Sequence, residues 1–342
     1  MSAPPPNVNR QYVLVQRPKG PLSESDFAYR EGPVPEPGPG EVLTRTLYLS
    51  IDPANRAWMS PVRTYTDPVQ PGGVMHGFTL GEVVRSSAPG YEPGDLVEGM
   101  NGWQDYRALP AAALHKVARR KPLSIILSGL GVTAKTAYFG LLEIGRPQPG
   151  ETVVVSAAAG ATGSVAGQIA RIYGCRVVGI AGTDDKCRWL TRDLGFDAAI
   201  NYKTERVPEA LTAACPSGID VYFDNVGGDI LEACLFRMND RGRVVCCGAV
   251  SQYDTGAPGS GPRGVPGLLV VKRLRMEGFI VMDHYGRRAE AENDLARWIA
   301  DGQLRIQEDI LDGLDQAPGA LVGVLHGDNT GKRLVRVAPG IA

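Results

Sequence analysis

Two rhythms of apolar and polar residues divide the chain. Up to about residue 125, short runs such as YVLVQ, EVLTRTLYLSI, GFTLGEVVRSS and DLVEGM are separated by glycine and proline punctuation, as in EGPVPEPGPGE. Extended runs broken by turn formers predict a β-rich domain of meander or barrel type. From about residue 126, apolar strand runs alternate with amphipathic helical runs, the pattern of a parallel sheet with crossover helices. The strands predicted lie at 151–157, 175–182, 198–202, 219–226, 242–250 and 275–281, and six suffice for one doubly wound sheet. Between them SVAGQIARIYG, DDKCRWLTRDLG and GDILEACLFRMND have helical spacing, with Trp189, Leu190 and Leu194 on one face of the second. A last helical stretch, AEAENDLARWIADG, precedes a segment of mixed β character ending in KRLVRV, which is expected to rejoin the first domain. The expectation is an α/β domain at 128–304 inserted into a β-rich domain made of 1–127 and 305–342.

Charge narrows the choice of partner. Lys plus Arg is 36 against 37 for Asp plus Glu, so no strong field exists to gather nucleic acid or an anionic membrane. A small molecule is the expected partner. Cys175, Cys187, Cys215, Cys234, Cys246 and Cys247 are unevenly spaced and form no C-x-x-C pair, which suits reduced thiols in the cytoplasm. The opening MSAPPPNVNRQ lacks the apolar run of a secretory signal, and no uninterrupted apolar stretch of about 18 residues occurs. A soluble cytoplasmic protein is expected.

The first predicted strand runs straight into AAGATGSVAGQIA, an A-x-G-x-x-G turn at Ala158, Gly160 and Gly163. A dinucleotide needs this: no side chain at Gly160, so that backbone approaches a pyrophosphate, and free amides at a helix start, where the dipole favours an anion. The plainer reading, small residues for tight helix packing, is weakened by the strand before and the helix after. At the end of the second strand, where NAD enzymes usually carry an acid for the ribose, stand Gly182 and Thr183. Asp184 and Asp185 read better as first-turn residues behind an N-cap. Lys186, Tyr202 and Lys203 are placed to converge on a 2′-phosphate, which favours NADP over NAD, although exposed lysines are usually only solvated.

No cysteine precedes Cys175, and His76 and His115 stand alone in the first domain, so no zinc ligand set is expected. Their isolation also argues against a Ser-His-Asp hydrolase.

AAAGATG, GTDDK, NYK, DNVGG, CGAVSQY and NTGK follow one another in one series. With TAYFGLLEIG and YFDNVGG, from about Tyr12 to Val337, the chain resembles the zinc-independent medium-chain dehydrogenase/reductases. Within them it is most similar to the alkenal/one double-bond reductase group, that of leukotriene B4 12-hydroxydehydrogenase (15-oxoprostaglandin 13-reductase). The resemblance implies a Rossmann doubly wound parallel sheet inserted in a GroES-like β-rich substrate domain, NADPH, a homodimer, and reduction of the carbon-carbon double bond of enones and enals. It implies that Gly160, Ala161, Thr162 and Gly163 hold the pyrophosphate and that Lys186 and Tyr202 meet the 2′-phosphate. It places Asn225, Cys247, Gly248, Ala249, Val250, Ser251, Phe279, Ile280, Val281 and Asn329 along the rest of the nucleotide. DNVGG and CCGAVSQY close the fourth and fifth strands, where ligands of open α/β sheets gather, so both arguments agree on place. Asn225 also reads as a turn former and Cys247 as a core thiol, a contact and not a nucleophile.

The resemblance points to Tyr253 as the catalytic hydroxyl, supporting an enolate while NADPH gives a hydride to the β-carbon; the alternative is a tyrosine that merely starts a surface loop. The chain departs from the family in LYLSIDPANR, where Ala54 and Asn55 replace a Tyr-Met pair, and at Lys135, which either points to solvent or alters the pocket. Tyr48, Asn55 and Trp103, with Trp58 and Tyr106, are candidates for a substrate pocket, though aromatic residues in a β domain are more often core. The stretch at 256–267, GAPGSGPRGVPG, is either a lid or a connector. Two other functions stay open: a carbonyl or quinone reductase with the same cofactor site, and a nucleotide-binding protein with little catalysis.

Overall fold

The computed structural model describes residues 8–254 and 261–338. Two compact units are present. The first comprises Met1–Leu127, Glu308–Asn329 and Arg333–Ala342, the second Ser128–Gln307 and Thr330–Lys332.

The second unit is built on a six-stranded sheet. In space its strands run Ala198–Asn201, Arg176–Ala181, Thr152–Val155, Ile219–Asp224, Met238–Cys246 and Arg275–Gly278, every neighbouring pair parallel. Strands covered on both faces must be apolar at successive positions, which is why TVVV and RVVGIA read as continuous apolar runs. Alternate residues then serve opposite layers. Val153, Val155, Val177, Val221, Phe223 and Val245 pack toward the helices Val132–Phe139, Ala161–Ile172 and Arg288–Ala300, while Val154, Val178, Ile180, Tyr222 and Val244 pack toward Val207–Ala214 and Gly228–Arg237. The chain starts in the middle at Thr152–Val155, winds to one edge, then returns to lay Ile219–Asp224 on the other side of the same strand. That reversal is a topological switch point, where the carboxyl ends of the strands leave a crevice.

One strand and one loop differ from expectation. The fifth strand is Met238–Cys246 instead of 242–250, so Met238, Asn239 and Asp240, read as the tail of a helix, belong to the sheet. The helix stops at Arg237, whose guanidinium donates to Cys215 O. Asn239 Nδ2 donates to Asp220 Oδ1 at 2.7 Å, and Arg241 takes a left-handed φ of 63°, with the ladder breaking register between Ile219 and Val221. At the other end the amides of Cys247 and Gly248 both turn onto Asp224 O and leave the ladder. Of the Gly/Pro-rich stretch at 256–267, residues 256–260 lie outside the described residues, and Val265 begins a helix, Val265–Lys272. Gly264 in the left-handed region and Pro266 in the first turn start it.

In the first unit a seven-stranded sheet contains the order Glu308–Asp312, Lys332–Arg336, Glu41–Ser50, Thr79–Ser86, Leu96–Gly99 and His115–Val117, with Tyr106–Pro110 also paired to Glu41–Ser50. KRLVRV pairs antiparallel with the long strand, Val335 opposite Leu49 and Arg336 opposite Tyr48. Val8–Leu14 and Phe27–Pro33 form a separate antiparallel ribbon. Among the described residues no helix is long and apolar enough to cross a membrane.

Candidate active site

The turn after Thr152–Val155 is set by backbone. Ala157 adopts a left-handed φ of 46°, Gly160 N donates back to Ala157 O at 3.0 Å, and the helix Ala161–Ile172 starts from Gly160 with no side-chain cap. The amides of Ala161, Thr162 and Gly163 are therefore presented at a helix N-terminus without a side-chain acceptor, the arrangement that holds an anion. Gly163 is forced: a Cβ there would sit 2.4 Å from Ala157 O and 2.9 Å from Ala158 Cα. At Gly160 only Ala157 O lies near such a Cβ, at 3.2 Å, so its missing side chain leaves the outer side of the loop open. These residues fit a pyrophosphate. Gly331, from NTGK, bridges Gly160 and donates to Ala159 O at 2.8 Å. Sequence reasoning carried over only Asn329 from this segment; a glycine two residues on was the available signal. Asn329 itself is the last residue of the first unit's Glu308–Asn329 segment.

At the second strand end Thr183 caps the next helix, its Oγ1 accepting from Lys186 N at 3.2 Å. Asp184 accepts from Asn201 Nδ2 at 2.6 Å and Asp185 pairs with Arg188, so both acids are engaged in the first helical turn, as expected. The half-exposed Tyr202 ring covers Gly182, whose Cβ would lie 3.1 Å from Tyr202 Cε1 and 3.2 Å from its hydroxyl. Tyr202 and Lys186 thus flank the same strand end.

At the switch point the fourth strand ends on a buried carboxylate. Asp224 Oδ1 accepts from Tyr222 Oη at 2.8 Å, Ser156 Oγ at 3.2 Å, Val226 N at 3.0 Å and Gly227 N at 2.9 Å. Burial raises its pKa, and the donors, Gly227 N foremost, pull the other way. Asn225 is held twice on the neighbouring strand end: its amide donates to Ser156 Oγ at 2.9 Å and its Nδ2 to Ser156 O at 2.7 Å. Sequence reasoning missed Ser156 and Asp224, although a hydroxyl and an acid closing two apolar strands, VVVSA and VYFDNV, were visible signals.

The loop after the fifth strand lies along this turn. Val250 N donates to Asn225 O, and both the amide and the hydroxyl of Ser251 donate to Val226 O. Tyr253 folds back so that its hydroxyl accepts from Ala249 N at 3.3 Å and lies 3.4 Å from the Cβ position of Gly248. Burial raises the phenol above its ordinary value, opposed by the Ala249 amide, so at neutral pH it keeps its proton to donate. Burial also pushes the Cys247 thiol up to about 12, which removes it as a nucleophile. Beyond the edge strand, Phe279 packs onto Gly140, where a Cβ would lie 2.5 Å from Phe279 Cζ. Ile280 is half-buried, and Val281 points into the core.

In the first unit most of the pocket candidates are buried. Asn55 is fully buried, its Oδ1 accepting from Asp52 N and its Nδ2 donating to His76 O, both at 2.8 Å, so it ties the start of Ala54–Ala57 to a neighbouring loop. Trp103 is also fully buried, stacked on Phe27 with ring centroids 5.0 Å apart, next to the left-handed backbone of Gly102. Trp58 and Tyr106 are buried too, and Trp58 meets Tyr65, His76 and Phe78 edge to face. Only Tyr48 of this set is half-exposed. Lys135, in the second unit, does not point to solvent: it is 4% exposed and pairs with Glu292 at 2.7 Å, joining two packed helices.

A family model described as the N-terminal domain of oxidoreductase matches residues 10–117, and one described as zinc-binding dehydrogenase matches 161–301. The NADPH-dependent curcumin reductase of Escherichia coli (strain K12) is 43% identical, with 96% of this chain and 97% of that one covered. The 2-alkenal reductase (NADP(+)-dependent) of Nicotiana tabacum is 40% identical, with 96% and 98% covered. The crystal structure of CurA from Vibrio vulnificus in complex with NADPH superposes with a TM-score of 0.92 at 39% identity, covering 97% of this chain and 100% of that one. With this likeness running over nearly its whole length, the chain belongs to the medium-chain dehydrogenase/reductase family, in the group of NADP-dependent alkenal double-bond reductases.

Proposed function

We propose that the protein reduces the carbon-carbon double bond of α,β-unsaturated ketones and aldehydes with NADPH, without a metal. One observation carries the chemical part of this reading: Tyr253 accepts from Ala249 N and so presents a neutral O–H, beside the turn that closes the switch-point strand. Bound NADPH would supply the hydride that the β-carbon takes up, and solvent water the proton that the α-carbon of the resulting enolate takes up. The Tyr253 hydroxyl donates to the carbonyl oxygen as it gains enolate charge, an interaction stronger in the transition state than in the ground state. Gly160 and the amides of Ala161, Thr162 and Gly163 hold the pyrophosphate, and Lys186 with Tyr202 binds the 2′-phosphate. Asn225, Cys247, the backbone of Gly248 to Ser251, Phe279 to Val281 and Asn329 border the remainder, while Tyr48 faces substrate. The nucleotide domain spans 128–304 and the substrate domain 1–127 with 305–342.

The metal-free reading rests on the donor set: no cysteine precedes Cys175, and His76 is turned against Trp58 with Nε2 at Asp67 O. A homodimer is supported by the Arg275–Gly278 strand at the sheet edge and by Val270 and Val271, which are 75% and 69% exposed. Cytoplasmic residence is supported by six cysteines that are all free. The test is consumption of NADPH against NADH with a panel of enones, enals, ketones and quinones, each product identified. Saturated ketones and aldehydes are expected; alcohols or hydroquinones alone would replace the reaction with carbonyl or quinone reduction.

A further inference from the structure

Ser156 and Asp224 hold a feature that the proposed chemistry does not yet use. They close adjacent parallel strands on the two sides of the switch point, and both are buried. The hydroxyl of Ser156 donates to Asp224 Oδ1 at 3.2 Å, which turns an oxygen lone pair toward Asn225 N, the donor 2.9 Å away. The carbonyl of the same serine takes Asn225 Nδ2 at 2.7 Å. Asn225 is thereby fixed at its main chain and at its amide nitrogen, and Oδ1 is the atom that remains to accept from a ligand. Asp224 fixes the rest of the turn, since Val226 N and Gly227 N end on the same carboxylate oxygen that orients Ser156. One carboxyl oxygen shared by four donors makes this a stiffer device than one isolated hydrogen bond.

We propose that Ser156 and Asp224 are positioning residues for the cofactor: they clamp Asn225 so that its Oδ1 meets a hydroxyl of the bound nucleotide. The clamp rests on the reading that NADPH lies across this strand end. It acts on binding and not on chemistry, so its removal raises the KM for NADPH and leaves kcat at saturating NADPH nearly unchanged.

The experiment is a double-mutant cycle on the full chain, with Ser156→Ala, Asn225→Ala and the double variant, reading the NADPH Kd by fluorescence titration beside kcat and KM with one enone. Thermal melting accompanies each variant. Ser156→Ala is expected to weaken NADPH about fivefold, the size of one lost hydrogen bond, with kcat within about twofold. In the Asn225→Ala background the same change is expected to add less than about twofold, because nothing remains to be clamped. A weakened Asn225→Ala beside an unaffected Ser156→Ala overturns the clamp alone, as does full additivity of the two losses. Asn225→Ala binding NADPH as tightly as the parent removes the nucleotide from this strand end and the clamp with it. Should Ser156→Ala not fold, Tyr222→Phe tests the same carboxylate by removing a different donor. The expected result is a smaller rise in Kd that is again lost in the Asn225→Ala background; an additive rise or none contradicts the proposal.

Discussion

The hydroxyl of Tyr253 accepts the backbone amide of Ala249 at 3.3 Å, four residues back along the same loop. A phenol held through its lone pair keeps its single proton for another acceptor, and burial raises the pKa at which that proton would leave.

Tyr253→Phe is therefore expected to lower kcat for enone reduction about 10²-fold, the usual size of one lost oxyanion donor, with the NADPH Kd within about twofold. Steady-state kinetics beside a binding titration checks this. The donating form exists below the phenol pKa and disappears as pH rises through it, and that pKa stands above the ordinary value. The contribution of Tyr253 is thus expected to stay constant across neutral pH and to fall only above about pH 10. A falling limb near pH 8 that vanishes in Tyr253→Phe would contradict this.

The two loop glycines separate binding from folding. Gly163→Ala brings a methyl within 2.4 Å of Ala157 O, so the loop must shift, at a cost of about 1–3 kcal/mol visible in the melting temperature. Gly160→Ala meets a single neighbour at 3.2 Å. On the proposed placement of the pyrophosphate, that variant is expected to melt near the parent yet bind NADPH at least about tenfold more weakly, because the added methyl would stand in the way of a phosphate. Isothermal titration and thermal melts on both variants decide the matter; equal losses of stability would remove the distinction.

Lys135→Ala leaves Glu292 without its partner in the contact between Val132–Phe139 and Arg288–Ala300, and is expected to cost about 2 kcal/mol, moderated because Glu292 is partly exposed. Lys135→Met with Glu292→Leu is expected to recover most of that stability, since an apolar pair of similar volume avoids desolvating charge. Denaturant unfolding measures both. KM values for enones are expected to stay within about twofold in each variant, and a large change in substrate range would return Lys135 to the pocket.

Burial lifts the thiols of Cys175, Cys215 and Cys246 to about 11 and that of Cys247 to about 12. The thiolate is the form that adds to an enone, and raising the pKa removes it at neutral pH. These thiols are expected to resist alkylation by enones at pH 7.5 and to react only as pH approaches 11. Peptide mapping after incubation with an enone would show rapid adducts on them if the environment were otherwise.

The sheet was legible because strands buried on both faces leave unbroken apolar runs, and the turn before the helix Ala161–Ile172 because its glycines stand between such a run and a helix. Thr183 with Asp184 and Asp185 was legible for a local reason, the capping of one helical turn. What escaped depends on pairing across the chain. Nothing local puts Ser156 beside Asp224 and Asn225; the order of the strands does. Lys135 found Glu292 only through helix packing, and Asn55 and Trp103 meet their partners, His76 O and the Phe27 ring, only through the fold. The fifth strand, which starts early at Met238, carries a left-handed backbone at Arg241, a conformation its side chain does not announce.

The proposed reaction delivers hydride to the β-carbon and not to the carbonyl carbon. Turnover of an unlabelled enone with NADPH deuterated at the transferable position, followed by NMR of the product, reads it directly. A saturated ketone with deuterium on the β-carbon is expected, at a rate that falls about 10²-fold in Tyr253→Phe. Deuterium on the carbinol carbon of an allylic alcohol, with the double bond intact, would contradict it.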